Sequence, residues 1–103
     1  MAHLVQLLLP LADNAGRRFD EQKFAAVRRD LTQRFGGVTA YMRSPATGLW
    51  QKDTGDVDRD DVVIVEVMVE TLDPEYWRSY REQLEGAFGQ QALVCRASAI
   101  EML

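Results

Sequence analysis

Residues 20–36 read DEQKFAAVRRDLTQRFG and residues 73–89 read DPEYWRSYREQLEGAFG, so one pattern occurs twice at a constant offset of 53 residues. Each stretch begins with an Asp that can cap a helix, carries large apolar residues at helical spacing and ends at a Gly. The matched pairs are Asp20/Asp73, Phe24/Trp77, Val27/Tyr80, Arg28/Arg81, Leu31/Leu84, Phe35/Phe88 and Gly36/Gly89. An extended segment lies on each side of both stretches. The sequence therefore predicts two strand–helix–strand units.

The predicted strands follow from apolar content and alternation. The first (about residues 4–11) and the third (about 62–70) are the most continuously apolar segments, as central strands require. Alternation predicts the second strand over residues 38–43, followed by a turn and a short second arm at 49–52. The last strand covers about residues 93–100.

These elements predict the α+β class, with residues 1–103 as a single domain. The expected architecture is a ferredoxin-like βαββαβ sandwich. It has an antiparallel four-stranded sheet of order 4-1-3-2, two helices on one face and an extra hairpin on the second strand. Right-handed crossovers are expected to set the first and third strands side by side and parallel. The sheet face away from the helices is left open.

Alternation along the strands assigns residues to the two faces. The helix-facing sets are uninterrupted by polar groups: Val5, Leu7, Leu9 and Leu11 on the first strand, and Val63, Val65, Val67 and Val69 on the third. The opposite face is mixed: Leu4, Gln6, Leu8; Ile64, Glu66, Met68; Thr39, Tyr41, Arg43; Val94, Arg96, Ser98 and Ile100. Such a face is too apolar to stay bare and too polar for a core. We predict that a second copy covers it, with a small-molecule or protein ligand as the alternative occupant.

Glu66 interrupts a valine-rich central strand, where a carboxylate must find hydrogen-bond donors or raise its pKa. One interpretation is a polar cluster that binds a small molecule or supplies a general base. The other is an ion pair that fixes dimer register, or a solvated carboxylate. The candidate ligand or interface residues are Gln6, Tyr41, Arg43, Trp50, Glu66 and Arg96, and no catalytic residue can be assigned. The aromatic rings of Tyr41 and Trp50 could bind a flat ligand or cover the edge of the core.

Charge and cysteine content narrow the function classes. The net charge of −4 argues against nucleic acid as a partner, since phosphate binding needs a basic surface. Cys95 is the only cysteine, which excludes an internal disulfide and fits a reducing compartment. The apolar start is too short to span a membrane and lacks a signal-peptide layout, so we expect a cytoplasmic protein with no membrane partner.

Motifs for metals and cofactors are not found, and we predict neither. The series Asp56-x-Asp58-x-Asp60 resembles the start of a calcium loop, but Asp61 and Val67 stand where an EF-hand needs Gly and Glu. No glycine-rich phosphate loop is present. His3 and Cys95 are expected on the order of 20 Å apart, too far for a catalytic pair.

The spaced pattern GG-x-T-x-Y … G-x-W … G … V-x-V is formed by Gly36-Gly37, Thr39, Tyr41, Gly48, Trp50, Gly55 and the valine-rich strand. This pattern resembles a group of small bacterial proteins classed as domains of unknown function. The resemblance covers about residues 35–70 and implies a ferredoxin-like fold and a bacterial origin, without an activity or catalytic residues. The overall layout is also similar to dimeric α+β barrel proteins, including antibiotic-biosynthesis-type monooxygenases and stress-responsive barrel proteins.

The sequence supports two functional hypotheses. The first is an uncharacterised small bacterial protein acting as a homodimeric binding or regulatory module through its open sheet face. The alternative is a small cofactor-independent, monooxygenase-like enzyme with a cavity around Glu66, Tyr41 and Arg96. The first is favoured because the sequence contains no strong catalytic constellation.

Overall fold

The structure, a computed structural model, describes residues 2–43 and 62–103. The six elements occur in the predicted order: β1 (Ala2–Pro10), α1 (Glu21–Phe35), β2 (Thr39–Arg43), β3 (Val62–Val69), α2 (Pro74–Ala87) and β4 (Val94–Ile100). The predicted hairpin turn, its second arm and Trp50 lie outside the described residues, as do the side chains at positions 40–43.

Both helices begin at the predicted Asp caps. The Asp20 carboxylate accepts a hydrogen bond from the Gln22 backbone N–H at 3.0 Å, and Asp73 accepts one from the Tyr76 backbone N–H at 3.3 Å. These carboxylates satisfy backbone donors that have no partner inside the helix. At the other end of α1, Gly36 has φ of 83°, a left-handed conformation that glycine adopts without a Cβ penalty. The predicted caps of α1 and the start of α2 are confirmed.

The strands are arranged in the order β2-β3-β1-β4, and all three neighbouring pairs are antiparallel. Strand β2 pairs with the outer edge of β3, with Thr39 opposite Glu66 and Arg43 opposite Val62. Side chains are described throughout β3, β1 and β4. The predicted fold class is therefore corrected. The central β1–β3 pair, expected to be parallel, is antiparallel from His3–Val69 to Pro10–Val62.

The error came from applying the crossover rule to the wrong pair of strands. The helix α1 connects β1 to β2, and these two strands are parallel but not adjacent, because β3 lies between them and runs antiparallel to both. In the same way, α2 connects the parallel strands β3 and β4 across β1. A helical crossover needs only that its own two strands be parallel.

The core lies on one side of the sheet. Every predicted helix-facing residue of β1 and β3 is buried, and so is Leu11 just after β1: Val5, Leu7, Leu9 and Leu11, and Val63, Val65, Val67 and Val69. The helices contribute Phe24, Val27 and Leu31 from α1 and Trp77, Tyr80 and Leu84 from α2, and Phe88 completes the same cluster. The prediction of this face and of both helical stripes is confirmed, with Phe35 packed against the cluster rather than fully buried.

Aromatic rings and one lysine join the two helices. The rings of Phe35 and Trp77 are stacked with centroids 5.2 Å apart, and the ring of Phe88 packs against that of Phe24 at 5.6 Å. Lys23 at the start of α1 donates to the Ala87 carbonyl at 2.5 Å. A cation at that point complements the negative end of α2, whose own last turn has no basic residue.

The hydroxyl of Tyr80 supplies a first prediction, because it is buried without a hydrogen-bond partner among the described residues. Burial raises the pKa of the Tyr80 phenol, and the nearby Asp30 carboxylate adds to this effect. The Tyr80 phenol therefore has no effect on the pH dependence of stability below pH ~10, the ordinary pKa of tyrosine. Above that pH the free energy of unfolding falls, because this phenol ionises readily only in the unfolded chain. We expect Tyr80→Phe to reduce this alkaline loss while changing the free energy of unfolding near neutral pH by less than about 1 kcal/mol.

Urea denaturation of Tyr80→Phe and of the wild type at neutral pH and at about pH 11 measures the difference. The matched control is Tyr76→Phe, at a less buried phenol whose pKa is also raised by burial. Because that phenol is less buried, this variant should reduce the alkaline loss by a smaller amount. Equal alkaline loss in the wild type and Tyr80→Phe would contradict the prediction.

Candidate functional site

A polar row crosses the open face of the sheet. Strand register sets Gln6 of β1 directly opposite Glu66 of β3 on one side and Arg96 of β4 on the other, and Thr39 of β2 lies opposite Glu66. Adjacent strands are ~4.8 Å apart, so the carboxylate-bearing and guanidinium-bearing positions lie roughly 10 Å apart with Gln6 midway. Side chains alternate between the two faces along β1, so Gln6 lies on the open face while its neighbours Val5 and Leu7 are buried on the other face.

The Gln6 side chain links the two charged residues. Its amide Nε2 donates to Glu66 Oε2 at 2.6 Å, and its Oε1 accepts from Arg96 Nε at 2.8 Å. An amide has one donating and one accepting end, so the charges on either side fix its orientation. Glu66 therefore has one hydrogen-bond donor among the described candidate site residues. Gln6 donates to the carboxylate, whereas Arg96 reaches Gln6 rather than Glu66.

Apolar rows flank the polar row on both sides. Towards the start of β1, Leu4 lies between Met68 and Ser98, and towards its end Leu8 lies between Ile64 and Val94. Met68 and Val94 are 58% and 49% exposed, which is unusual for large apolar side chains. Ile64 differs, because it is 1% exposed yet does not belong to the helix-side cluster. The open face is therefore not uniformly bare.

The remaining predicted site residues are placed by backbone register alone. Tyr41 pairs with Ile64 and Arg43 with Val62, so both lie on the strand next to Glu66. Trp50 lies outside the described residues. The structure thus brings Gln6, Glu66 and Arg96 together by side-chain contact and leaves the roles of the other three predicted residues as predictions.

A second concave feature, which the sequence did not predict, lies on the helix side of the sheet. A cavity of about 230 Å³ lies between α2 and the β1–β4 edge. Its apolar wall includes Val5, Leu72, Pro74, Trp77 and Ala97, and Arg78, Arg81, Cys95 and Arg96 also line it. The available signal was the small residues at alternate positions of the last strand. Small side chains on a strand usually allow a helix to pack closely, but the structure leaves a gap above Cys95 and Ala97.

Cys95 lines this cavity and is not paired with histidine. Burial raises the pKa of the Cys95 thiol, and the Arg81 guanidinium partly offsets that rise. His3 lies opposite Ala99, and Cys95 opposite Leu7, so His3 and Cys95 are four positions apart along the pairing of β1 with β4. Four positions correspond to roughly 13 Å, shorter than expected but still too far for a nucleophile and its base.

Among residues 2–43 and 62–103, no three His, Cys, Asp or Glu side chains are grouped closely enough to hold a metal ion. The Asp56–Asp60 series lies outside these ranges. Neither of the helices within the same ranges has both the length and the apolarity needed to cross a lipid bilayer.

No family model, curated protein or solved structure matches the chain. The resemblance to the bacterial domains of unknown function therefore stays a prediction. Its Gly48, Trp50 and Gly55 positions are outside the described residues.

The Gln6 bridge gives a second prediction, namely that Gln6 and Glu66 are energetically coupled. We expect Gln6→Ala and Glu66→Ala to show a coupling free energy of about 1 kcal/mol in a double-mutant cycle, because each single substitution already removes their shared hydrogen bond. Urea denaturation at one low protein concentration measures the four species. The control cycle pairs Gln6→Ala with Glu70→Ala, at an exposed residue beyond the end of β3 that should add independently. Additivity in the Gln6–Glu66 cycle would show that the bridge contributes nothing.

Proposed function

We propose that the protein is a homodimeric binding module in which two copies pack open face against open face. The observation that supports this most is the polar row, whose opposite charges are placed symmetrically about Gln6. A face of this kind is self-complementary, which is the property that a two-fold dimer interface needs.

The position of the charges selects one two-fold axis. An axis parallel to β1 and passing over Gln6 exchanges the two sides of the row, so Glu66 of each copy faces the partner's Arg96. An axis perpendicular to the strands would instead set Glu66 over the partner's Glu66 and leave like charges opposed. The first arrangement is favoured because complementary charges set register and like charges are costly.

The same axis also matches the flanking apolar rows by size. It sets the exposed Met68 over the partner's Ser98, a large side chain over a small one. It sets Leu8 over the partner's Leu8, whereas the side chain of Ile64 is already covered within its own copy and is not available to the partner's Val94. Packed sheets are ~10 Å apart, which leaves room for these side chains to interdigitate. The Met68–Ser98 contact occurs twice in the dimer.

The size of the face sets the expected affinity. Four strands with about seven residues each give a face of roughly 20 by 23 Å. An area of this order is below the roughly 800 Å² that standard-size interfaces bury on each partner, and it is typical of weak, transient interfaces. We therefore expect a reversible dimer, with dissociation constants in the micromolar range, as suits a regulatory module.

The enzymatic alternative is less well supported. It requires a cavity around Glu66, Tyr41 and Arg96, and the cavity described above borders Arg96 on the opposite side of the sheet without including Glu66. None of the contacts between described residues joins Glu66 to a second titratable group.

Charge reversal provides a third prediction. Glu66→Arg and Arg96→Glu should each weaken the dimer at least about tenfold, since each opposes like charges at two places in the interface. The double substitution restores both the cross-dimer pairs and the row within each copy, because the Gln6 amide can turn over. The dimer should then regain most of its affinity.

Sedimentation velocity over a range of protein concentrations measures these dissociation constants. The control is Glu75→Arg on the exposed first turn of α2, which should leave the dimer unchanged. A wild-type protein that stays monomeric at every concentration, or a double variant no better than the singles, would refute the proposed pairing.

A further inference from the structure

The helix-side cavity carries features of a ligand site. It lies on the other side of the sheet from the polar row and is bounded by α2 above and by β1 and β4 below. Its floor includes Val5 and Ala97, which are paired across the β1–β4 ladder. Its volume of about 230 Å³ is a little below the usual range for drug-sized ligands, so it suits a small molecule.

The cavity exists because β4 offers small side chains where β1 and β3 offer large ones. Cys95 and Ala97 occupy the helix-facing positions of β4, opposite Leu7 and Val5. Trp77 of α2 packs towards the core and stacks on Phe35 of α1. The space between α2 and the β4 edge is therefore not filled by side chains from either element.

Positive charge is concentrated at this cavity. Arg78 and Arg81 are three residues apart on α2, a spacing that sets them on neighbouring turns of one face, and both line the cavity. Among the described residues, no Asp or Glu lines it. Two cations beside an apolar wall form an arrangement that selects for an anion with an apolar body.

Arg81 also lacks the partner that its counterpart in the repeat has. Arg28 of α1 is held by Glu21 at 2.8 Å, whereas the contact of Arg81 to its neighbour Glu82 is 3.8 Å. In addition, the Arg81 Nε is buried with no hydrogen-bond partner among the described residues. A buried donor left unpaired costs free energy, which an anionic ligand would recover.

We propose that this cavity binds a small aromatic or aliphatic anion, with Arg78 and Arg81 holding a carboxylate or phosphate group and the Trp77–Pro74–Val5 wall holding the apolar body. A carboxylate and a phosphate group each present a pair of anionic oxygens that can accept two parallel hydrogen bonds from a guanidinium group. The site is distinct from the proposed dimer interface, because Arg78 and Arg81 belong to α2 on the helix side of the sheet and only Arg96 borders both.

Cys95 makes the proposal testable without knowledge of the natural ligand. It is the only cysteine in the chain and it lines the cavity. The Cys95 thiolate attacks the methylene carbon of iodoacetate or iodoacetamide and displaces iodide in both reactions, so the ratio of the two rates cancels any change in the thiol pKa. The ratio then reports how strongly the cavity attracts an anionic reagent over a neutral one.

We expect the iodoacetate-to-iodoacetamide ratio to fall at least about threefold in Arg81→Gln, a change of the size expected for one nearby charge. Arg81→Lys keeps the charge and should retain most of the ratio. Arg29→Gln, which removes an exposed arginine of α1, should leave it unchanged. An equal ratio in the wild type and Arg81→Gln, with both variants folded by circular dichroism, would overturn the proposal.

Protection of Cys95 identifies the ligand group. Benzoate and phenyl phosphate are added to the wild type at millimolar concentrations while iodoacetamide labelling is followed by mass spectrometry. Saturable protection by benzoate assigns a carboxylate ligand, and protection by phenyl phosphate assigns a phosphate ligand. Inorganic phosphate tests whether the anionic group alone suffices. If none of the three protects Cys95, the anion site is ruled out, while the dimer proposal is unaffected.

Discussion

The separation of one sheet into a dry face and an open face is the constraint on which the rest of the molecule depends. Along β1, residues 5, 7 and 9 are buried under the helices, and residues 4, 6 and 8 face the other way. A shift of one residue in register would exchange these sets and expose the core. The position of Gln6 between Glu66 and Arg96 is therefore fixed by the hydrophobic core, even though none of the three residues belongs to it.

The sequence was sufficient for the features that depend on local periodicity. Helical spacing from Phe24 to Leu31 and from Trp77 to Leu84, with capping Asp residues, predicted both helices and their buried stripes. Strict alternation in β1 and β3 predicted the buried face residue by residue. These predictions succeeded because each rests on a period of 3.6 or 2 that few other structures can satisfy.

Features that depend on how distant segments meet were predicted less well. The predicted direction of the β1–β3 pair was wrong. A helical crossover constrains only the two strands that it connects and does not determine which strand lies between them. Alternation along the strands predicted the polar cluster, but not the order of its contacts. Gln6 takes the central place because register aligns it with both charged residues, and register depends on the whole sheet. The helix-side cavity depends on missing side-chain volume, which no single residue reveals.

Strand β4 shows how one edge strand can serve two sites. Its consecutive residues Cys95 and Arg96 point to opposite faces, so the first lines the helix-side cavity and the second ends the polar row. Small residues on one side leave space beneath α2, and the guanidinium on the other side gives the open face its positive end. Arg96 borders the cavity as well as ending the polar row, so substitutions at Arg81 or Glu66, rather than at Arg96, alter one site without removing the other. A strand in the middle of the sheet could not do this, since its helix-facing side chains must fill the core.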